Sequence, residues 1–391
     1  MIHAAPALAP ADLEVLDLIS RQRERLRLYT QNNPTEWMGS LRRSTFARAI
    51  AGSNSIEGYR ATVGDAIAIV DRQQPLEASD ETRAALQGYR DALTYVVQTV
   101  GDPHFEFSAQ LLKSLQFMML RHELAKHPGQ WRPGPIFVVD RATGARVYEG
   151  PAPEAVNALV EELVAFLKAA DGTPVLVTAA MAHLNLAMIH PFRDGNGRMA
   201  RALQTLVLAR DGVLHPVFSS IEEWLGRHTP DYYRVLAETG RGKWNPTRDA
   251  LPWLRFCLTA HHQQAATLIR RNEEYAQLYA RIEALVKTEK LPERATVSLF
   301  DAALGWPLTN PRYRIDAEVG DFTASRDLRK LSEAGLLEPL GEKRGRSYRP
   351  SAVLSGLRDA VRLRTPLENP YDLVPSRTRY RLPTAGPAPR R

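Results

Sequence analysis

The sequence predicts an all-α protein that carries one small β-hairpin, and three observations support this. Apolar residues recur at intervals of three and four along most of the chain, which is the period of an amphipathic helix. Residues 175–189 are almost all apolar, as expected for a helix buried on most of its circumference. Two short β-rich runs, 136–139 and 146–148, flank a glycine-containing loop and predict the hairpin.

Composition is typical of a soluble globular protein. Of the 391 residues, 44% are hydrophobic and 24% are charged, and this length suffices for two or three domains. The net charge of +7 arises mainly in the C-terminal third and favours acidic partners such as ATP, nucleic acid or an acidic protein surface. A lone cysteine, Cys257, excludes a disulfide framework and a metal–thiolate cluster. We expect no signal peptide, no membrane span and a cytoplasmic location.

The twelve residues that follow the apolar run contain several groups capable of polar chemistry. They are His190, Pro191, Phe192, Arg193, Asp194, Gly195, Asn196, Gly197, Arg198, Met199, Ala200 and Arg201. Pro191 disfavours helical geometry at His190, so the buried helix should end there and present the imidazole. Two glycines around Asn196 predict a tight turn at the start of the next helix, where free backbone N–H groups form an anion site.

These side chains suit the transfer of a phosphorus-containing group to a hydroxyl. Such a reaction needs a base of near-neutral pKa, which a histidine such as His190 has when unperturbed. Asp194 is placed to bind Mg²⁺, a cation that prefers carboxylate and phosphate oxygens. Arg198 and Arg201 lie three residues apart on one helix face and can offset the charge of leaving phosphates. A single histidine or a single Gly-Asn-Gly turn is more often structural, but the joint spacing favours a site.

The stretch closely resembles the signature of the Fic family (filamentation induced by cAMP), His-Pro-Phe-x-Asp/Glu-Gly-Asn-Gly-Arg-x-x-Arg, at every defined position. The resemblance implies a helical core that uses ATP and Mg²⁺ to transfer AMP to a protein hydroxyl. His190 would deprotonate that hydroxyl, which attacks the α-phosphorus and expels pyrophosphate. By the same resemblance, the ATP-binding residues are Asp194, Gly195, Asn196, Gly197, Arg198 and Arg201, and Asp194 is also the metal ligand.

A second motif lies upstream, in a helix predicted over residues 41–58. Four of its residues share one face at spacings of four, three and four: Phe46, Ile50, Ser53 and Glu57. A carboxylate at a helix C-terminus is disfavoured by the dipole, so Glu57 should have a cationic partner. Residues 53–58 resemble the Fic inhibitory motif Ser/Thr-x-x-x-Glu-Gly/Asn in the N-terminal position of the family's second class.

The resemblance implies that Glu57, supported by Ser53, pairs with Arg201 and stops ATP from placing its γ-phosphate productively. The alternative is a glutamate solvated at a helix end. We hypothesise that the protein is largely self-inhibited and that Glu57→Gly releases it.

Further resemblances concern the walls of the site. Residues 129–133 match the Gly-x-Trp-Arg segment that precedes the family's hairpin, a flap that aligns the target backbone by strand addition. An ordinary surface hairpin is the alternative. Tyr232, Tyr233 and Asn245 stand at positions comparable to the family's adenine pocket, with simple core packing as the alternative for the two tyrosines. Gln116 stands where the corresponding family helix often carries a histidine.

The C-terminal third resembles a winged helix. Residues 297–304 would form its first helix, 323–334 the recognition-type helix, and 336–348 the wing. A basic face is expected from Arg326, Arg329, Lys330, Lys343, Arg344 and Arg346. Pro307, Pro311 and Gly320 leave little room for a normal second helix between them. DNA binding, dimerisation and target docking all remain open for this part of the chain.

The predicted organisation has four parts. They are an N-terminal helical region (1–104), a Fic catalytic domain (105–262), a linker helix with a winged-helix domain (263–350) and a basic disordered tail (351–391). Expected partners are ATP, a protein substrate with a Ser, Thr or Tyr hydroxyl, the protein itself as a target, and a second copy in a homodimer. The alternatives are a deadenylylase that uses the same residues and a DNA-binding regulator.

Overall fold

The computed structural model describes residues 1–31, 35–73, 77–139, 143–169, 172–341, 346–376 and 380–382. The N-terminal helices are α1 (Pro10–Gln31), α2 (Met38–Ile56), α3 (Val63–Val70) and α4 (Asp80–Thr99). The central part comprises α5 (Ala109–Leu120), β1 (Phe137–Val139), β2 (Arg146–Glu149), α6 (Val156–Lys168), α7 (Val175–Ile189), α8 (Asn196–Arg210), α9 (Pro216–Ser219), α10 (Glu222–Arg227), α11 (Thr229–Gly240), β3 (Gly242–Lys243) and α12 (Leu251–Thr288). The C-terminal part comprises α13 (Thr296–Ala303), β4 (Leu308–Thr309), α14 (Asn310–Asp316), α15 (Asp321–Glu333), β5 (Leu337–Leu340), β6 (Ser347–Pro350), α16 (Ala352–Val361) and α17 (Pro370–Leu373).

This order confirms the predicted all-α class. The apolar helix α7 lies at the centre, buried on almost every side, and it packs against α6, α8 and α12. Helix starts follow ordinary capping chemistry: the Ser79 and Ser108 hydroxyls accept hydrogen bonds from backbone N–H groups at the starts of α4 and α5. In the part of the chain that the structure describes, no helix is both long enough and apolar enough to cross a membrane.

The predicted hairpin is part of a three-stranded sheet. Strands β1 and β2 pair in antiparallel fashion, and the two-residue strand β3 adds to β2 in parallel. Strand β2 is therefore paired on both edges, and among the described residues the outer edge of β1 has no partner strand in this sheet. The β3 strand was not predicted because a Gly-Lys pair has no β pattern. The predicted turn at residues 140–144 lies in part outside the described residues.

In the C-terminal part, α13, α15, β5 and β6 agree with the elements expected from the sequence. Strand β4 joins them, giving a sheet of order β4-β6-β5. The expectation that little room existed for a second helix is wrong, because α14 forms there. Pro311 occupies its first turn, where a missing N–H costs nothing, and the Thr309 hydroxyl caps the Arg312 N–H. The wing residues Lys343 and Arg344 lie outside the described residues.

The prediction of a disordered tail over residues 351–391 is also wrong for residues 352–373. Leu354 and Val361 of α16 are buried in the C-terminal core, and Tyr371 is buried against α1. The Tyr371 hydroxyl donates a hydrogen bond to Asp12 Oδ1 at 3.0 Å. A few well-spaced apolar side chains suffice to dock the segment. Residues 377–379 and 383–391 lie outside the described part of the chain.

Two hydrophobic cores divide the molecule. One surrounds α7 and α8, and the other gathers the C-terminal half of α12 with α13, α15 and α16. The predicted boundary after residue 262 falls inside α12, and the two cores share this one continuous helix.

Candidate functional site

His190 lies directly after the central helix, at the point that the sequence predicts. Its backbone is left-handed, with φ 52°, and its N–H donates to the Leu186 carbonyl oxygen at 3.0 Å. Nδ1 lies 3.1 Å from the Ala187 carbonyl oxygen, so this nitrogen carries the proton and Nε2 is the basic one. Burial lowers the pKa of His190 from its ordinary value. The imidazole is therefore neutral and able to accept a proton near pH 7.

The loop after His190 is held by the Asn196 side chain. Asn196 Oδ1 accepts from the Phe192 N–H, and its Nδ2 donates to the Phe192 carbonyl oxygen, each at 2.9 Å. Gly195 adopts a left-handed backbone, with φ 77°, just before α8 begins. The N-terminal N–H groups of α8 therefore converge beside His190 as an anion site. Asn196, predicted to bind ATP, uses its side chain to shape this loop.

Arg201 and the end of α2 meet at this anion site. The Arg201 Nη2 donates to Glu57 Oε1 at 2.7 Å, and its Nε donates to the Ser53 hydroxyl at 2.8 Å. Nη2 also reaches the Ser53 carbonyl oxygen at 3.0 Å. A β-carbon added to Gly197 would lie 2.5 Å from Glu57 Oε1, so the carboxylate presses against the first turn of α8. Burial alone would lower the pKa of Arg201, but Glu57 raises it above its ordinary value, so the guanidinium is charged.

Arg201 Nη1 has no hydrogen-bond partner among the described residues, and Arg198, on the same helix face, is less well satisfied still. Its side chain is 1% exposed, and within the described residues neither Nε nor Nη1 has a hydrogen-bond partner. The guanidinium carbon lies 5.4 Å from the ring centroid of Tyr59. A buried cation without hydrogen-bond partners is costly unless an anion satisfies it. Arg198 therefore supplies free donors at the phosphate side of the anion site.

Asp194 lies at the edge of the anion site with a partly exposed carboxylate. Its Oδ1 accepts from the Gly195 N–H at 2.6 Å, and Oδ2 lies 3.4 Å from Lys126 Nζ. Across the described ranges, no three His, Cys, Asp or Glu side chains are grouped to hold a metal ion. Mg²⁺ commonly takes one or two carboxylates and completes its shell with substrate phosphates and water. Asp194 thus fits a magnesium ion that arrives with a nucleotide.

Comparison with known proteins identifies this region. Residues 106–208 match the sequence model of the Fic/DOC family. The chain contains a Fic domain. A Fic family protein from Desulfovibrio desulfuricans G20 has a TM-score of 0.58 and 21% identity, with 90% of this chain and 98% of that chain covered. For Fic-1 from Caenorhabditis elegans, the TM-score is 0.53 at 21% identity, covering 66% and 71% of the two chains. At these identities the likeness concerns the fold.

Two relatives extend the comparison to sequence. The protein adenylyltransferase Fic of Nematostella vectensis is 28% identical over 258 residues, which cover 65% of this chain and 55% of that protein. Protein adenylyltransferase fic-1 of Caenorhabditis elegans is 32% identical over 116 residues, covering 29% of this chain and 20% of the relative. The chain thus spans about half the length of the first of these relatives, and the second matches over a shorter segment.

The residues predicted for the adenine pocket of the Fic domain fall into two kinds of environment. Tyr232 is 2% exposed, and its hydroxyl lies 3.0 Å from His183 Nε2, so its ring packs in the core and offers no free face. Tyr233 is 44% exposed and donates from its hydroxyl to the Ile56 carbonyl oxygen at 3.1 Å. Asn245 Oδ1 accepts from the Thr247 N–H and hydroxyl in a local turn. The stacking role predicted for Tyr232 therefore finds no support, and Tyr233 instead contacts the end of α2.

Gln116, which was not predicted as a site residue, connects three segments around the site. Its Nε2 donates to the Asp194 carbonyl oxygen at 3.0 Å, and its Oε1 accepts from the Gly129 N–H at 2.5 Å. The side chain thus joins α5, the loop before α8 and the segment that leads into β1. A buried glutamine on the apolar face of α5 was the available signal, since such a group needs partners.

Proposed function

We propose that this chain transfers AMP from ATP to a hydroxyl group of a protein, and that Glu57 restrains the reaction. The observation that carries the proposal is the Arg201 guanidinium, held by Ser53 and Glu57 beside the N-terminal N–H groups of α8. Arg198 provides unsatisfied donors next to it. The relatives named protein adenylyltransferase support the reaction type.

The proposed reaction gives each of these groups one role. His190 Nε2 accepts the proton of the target hydroxyl, whose oxygen forms a bond to the α-phosphorus. The bond from the α-phosphorus to the bridging oxygen breaks, and pyrophosphate leaves with that electron pair. Backbone N–H groups at residues 196 and 197 and the Arg198 guanidinium offset the negative charge. Mg²⁺, which Asp194 would hold together with the phosphates, supplies further charge neutralisation.

The proposed inhibition follows from competition for one cation. A γ-phosphate that used Arg201 would have to displace Glu57, whose partly buried carboxylate forms an ion pair with the buried guanidinium at 2.7 Å. Two negative groups around one buried guanidinium repel each other strongly where water is excluded. ATP would then bind without its γ-phosphate on Arg201, and the α-phosphorus would lie away from His190.

The experiment compares the wild type, Glu57→Gly and the double variant Glu57→Gly/His190→Ala with Mg²⁺ and ATP labelled at the α or γ position. We expect transfer of the α label, strong in Glu57→Gly, weak in the wild type and absent in the double variant. Glu289→Gly is the matched control. Glu289 is the residue directly after α12, as Glu57 is the residue directly after α2, and the two have almost the same backbone angles. Its transfer should equal that of the wild type.

Transfer of the γ label would instead make the protein a kinase. No transfer by Glu57→Gly, with release of AMP from a modified protein by the wild type, would favour the deadenylylase. Equal transfer by Glu57→Gly and the wild type would remove Glu57 as an inhibitor.

We also propose that residues 296–350 form a winged-helix module. The order helix, strand, two helices and two strands supports it, as does Arg326, which is exposed with Arg329 on the outer face of α15. Electrophoretic mobility with random-sequence DNA at two salt concentrations tests the DNA-binding alternative. Binding that weakens with salt would support phosphate contacts, and no binding at low salt would leave dimerisation or target docking.

A further inference from the structure

Arg132 is a buried arginine that binds backbone carbonyl oxygens from three separate segments. Its Nε donates to His190 at 2.8 Å, its Nη1 to Gly134 at 2.7 Å and its Nη2 to Pro151 at 2.5 Å. Its own backbone N–H donates to the Pro191 carbonyl oxygen at 2.9 Å. Gly134 precedes β1 and Pro151 follows β2, so one guanidinium joins both ends of the flap to the residue proposed as the base.

The end of α7 requires such donors. The last carbonyl groups of a helix have no partner within it, and the left-handed turn at His190 directs its carbonyl away from the helix axis. The Tyr148 hydroxyl of β2 donates to the Met188 carbonyl oxygen at 2.8 Å, and Arg132 satisfies the carbonyls of His190 and Pro191. A left-handed backbone is uncommon for a residue other than glycine, so its surroundings must enforce it.

The backbone of His190 determines where its imidazole points. The bond between Nδ1 and the Ala187 carbonyl oxygen selects the tautomer, and a change in the His190 backbone would move Nδ1 relative to that oxygen. The packing around Arg132 is close: a β-carbon on Gly150 would lie 3.3 Å from Arg132 Nη2 and 2.9 Å from Ile136.

We propose that Arg132 is a positioning residue, which holds the His190 imidazole in its productive orientation and ties it to both ends of the flap. The kinetic part of this proposal rests on the proposed AMP transfer. Arg132 does not touch the reacting atoms. It acts through the His190 backbone, and its planar fork reaches three oxygens at once, which a lysine cannot do.

The test uses Arg132→Gln and Arg132→Lys in the Glu57→Gly background, with Arg210→Gln as the matched control. Arg210 Nη1 also donates to three backbone carbonyl oxygens, those of Thr99, Val100 and Asp102, at the far end of α8. For self-modification, we expect Arg132→Gln to lower kcat by roughly 100-fold, the effect of a misplaced catalytic group, while the Kd for ATP is unchanged. The kcat of Arg132→Lys should lie between those of the Glu57→Gly parent and of Arg132→Gln, and Arg210→Gln should keep the parent kcat.

A second readout does not depend on transfer. Histidine ¹³Cε1 NMR, with the His190 signal assigned by His190→Ala, reports the titration of the imidazole directly. Burial and the Arg132 charge lower the pKa of His190, whereas Glu57 and Asp194 act to raise it. Arg132→Gln should therefore raise the pKa of His190 and shift its signal, and Arg132→Lys should shift the signal while the pKa stays low.

The outcomes separate the two proposals. Absence of transfer by Glu57→Gly alone contradicts the proposed function and leaves the NMR measurement to decide about Arg132. Two results would show that Arg132 has only a structural role. One is an equal loss of kcat in Arg132→Gln and Arg210→Gln at equal Tm. The other is an unchanged His190 signal in Arg132→Gln. Should Arg132→Gln not fold, Arg132→Lys decides by the same comparison, because it keeps the charge and loses only the fork.

Discussion

Individual side chains at the anion site differ in how well they are satisfied. Arg201 binds Ser53 and Glu57 and leaves only Nη1 without a partner among the described residues, while Arg198, equally buried, leaves both Nε and Nη1 without one. Behind Arg201 lies Glu222, a buried carboxylate that accepts from the Thr205 hydroxyl at 3.2 Å. Burial raises the pKa of Glu222 to about 7, against the lowering effect of Arg201. Arg201 thus interacts with two carboxylates, those of Glu57 and Glu222.

Glu222 predicts a pH dependence of stability. Its folded pKa of about 7 lies above its ordinary 4.5, so the folded state binds more protons between these values. Its contribution is fully present below pH 4.5 and is lost as the pH rises through 7, by up to about 3 kcal/mol. The Glu222→Gln side chain cannot ionise, so this variant should lose less free energy of unfolding than the wild type between pH 5 and pH 8. Urea unfolding at pH 5 and pH 8 measures this, and equal pH dependence in both proteins would contradict it.

Among the elements, α2 is held along its whole length. Its C-terminal end contacts Arg201 and Tyr233. Its C-terminal half lies so close to α10 that a β-carbon on Gly52 would overlap the Glu222 carbonyl oxygen. The Ser44 hydroxyl near its start accepts from the Tyr275 hydroxyl of α12 at 3.1 Å. The position of Glu57 therefore depends on the docking of the whole helix.

Gly52→Ala tests this dependence. The added methyl group has no room, so we expect a loss of roughly 1–3 kcal/mol in the free energy of unfolding. Displacement of α2 should also move Glu57 from Arg201 and raise α-label transfer above the wild-type level. Gly39→Ala is the control, since nothing lies within 4 Å of its added β-carbon on the same helix. That variant should keep wild-type transfer and gain a little stability. Equal behaviour of the two variants would show that close packing at Gly52 is irrelevant.

At the scale of the whole molecule, α2 connects the two hydrophobic cores. The Ser40 hydroxyl donates to Asp301 Oδ1 of α13 at 2.6 Å, and Arg43 pairs with the other oxygen of that carboxylate. Asp71 Oδ2, just after α3, lies 3.5 Å from Arg312 Nη1 of α14, so a second ion pair joins the two halves. The C-terminal part is thereby attached to the helix that carries Glu57.

Asp301→Ala should affect both halves. It leaves Arg43 without its nearest buried partner, which costs roughly 3–5 kcal/mol when a buried ion pair is broken. Hydrogen exchange should accelerate in α2 as well as α13, and α-label transfer should rise in the otherwise wild-type protein. The same substitution added to Glu57→Gly should leave transfer unchanged, because no restraint remains to be loosened. Faster exchange confined to α13 would show that the contact does not reach α2.

The sequence by itself determined the helical class, the end of the central helix at His190 and the turn that opens α8. It also placed Ser53 and Glu57 on one helix face. These features depend on local periodicity and on the backbone preferences of proline and glycine, which act over a few residues. Their assignment to particular steps of a reaction stays a prediction.

Only the tertiary structure decided the features that join distant segments. These features are the β3 strand, the docking of α17, the burial of Tyr232 and the contacts of Arg132, and none of them leaves a periodic signal. Arg132 and His190 are 58 positions apart, and nothing in the local pattern of either states that they meet. Such contacts arise because every buried carbonyl and charge needs a partner, and packing decides which residue reaches it.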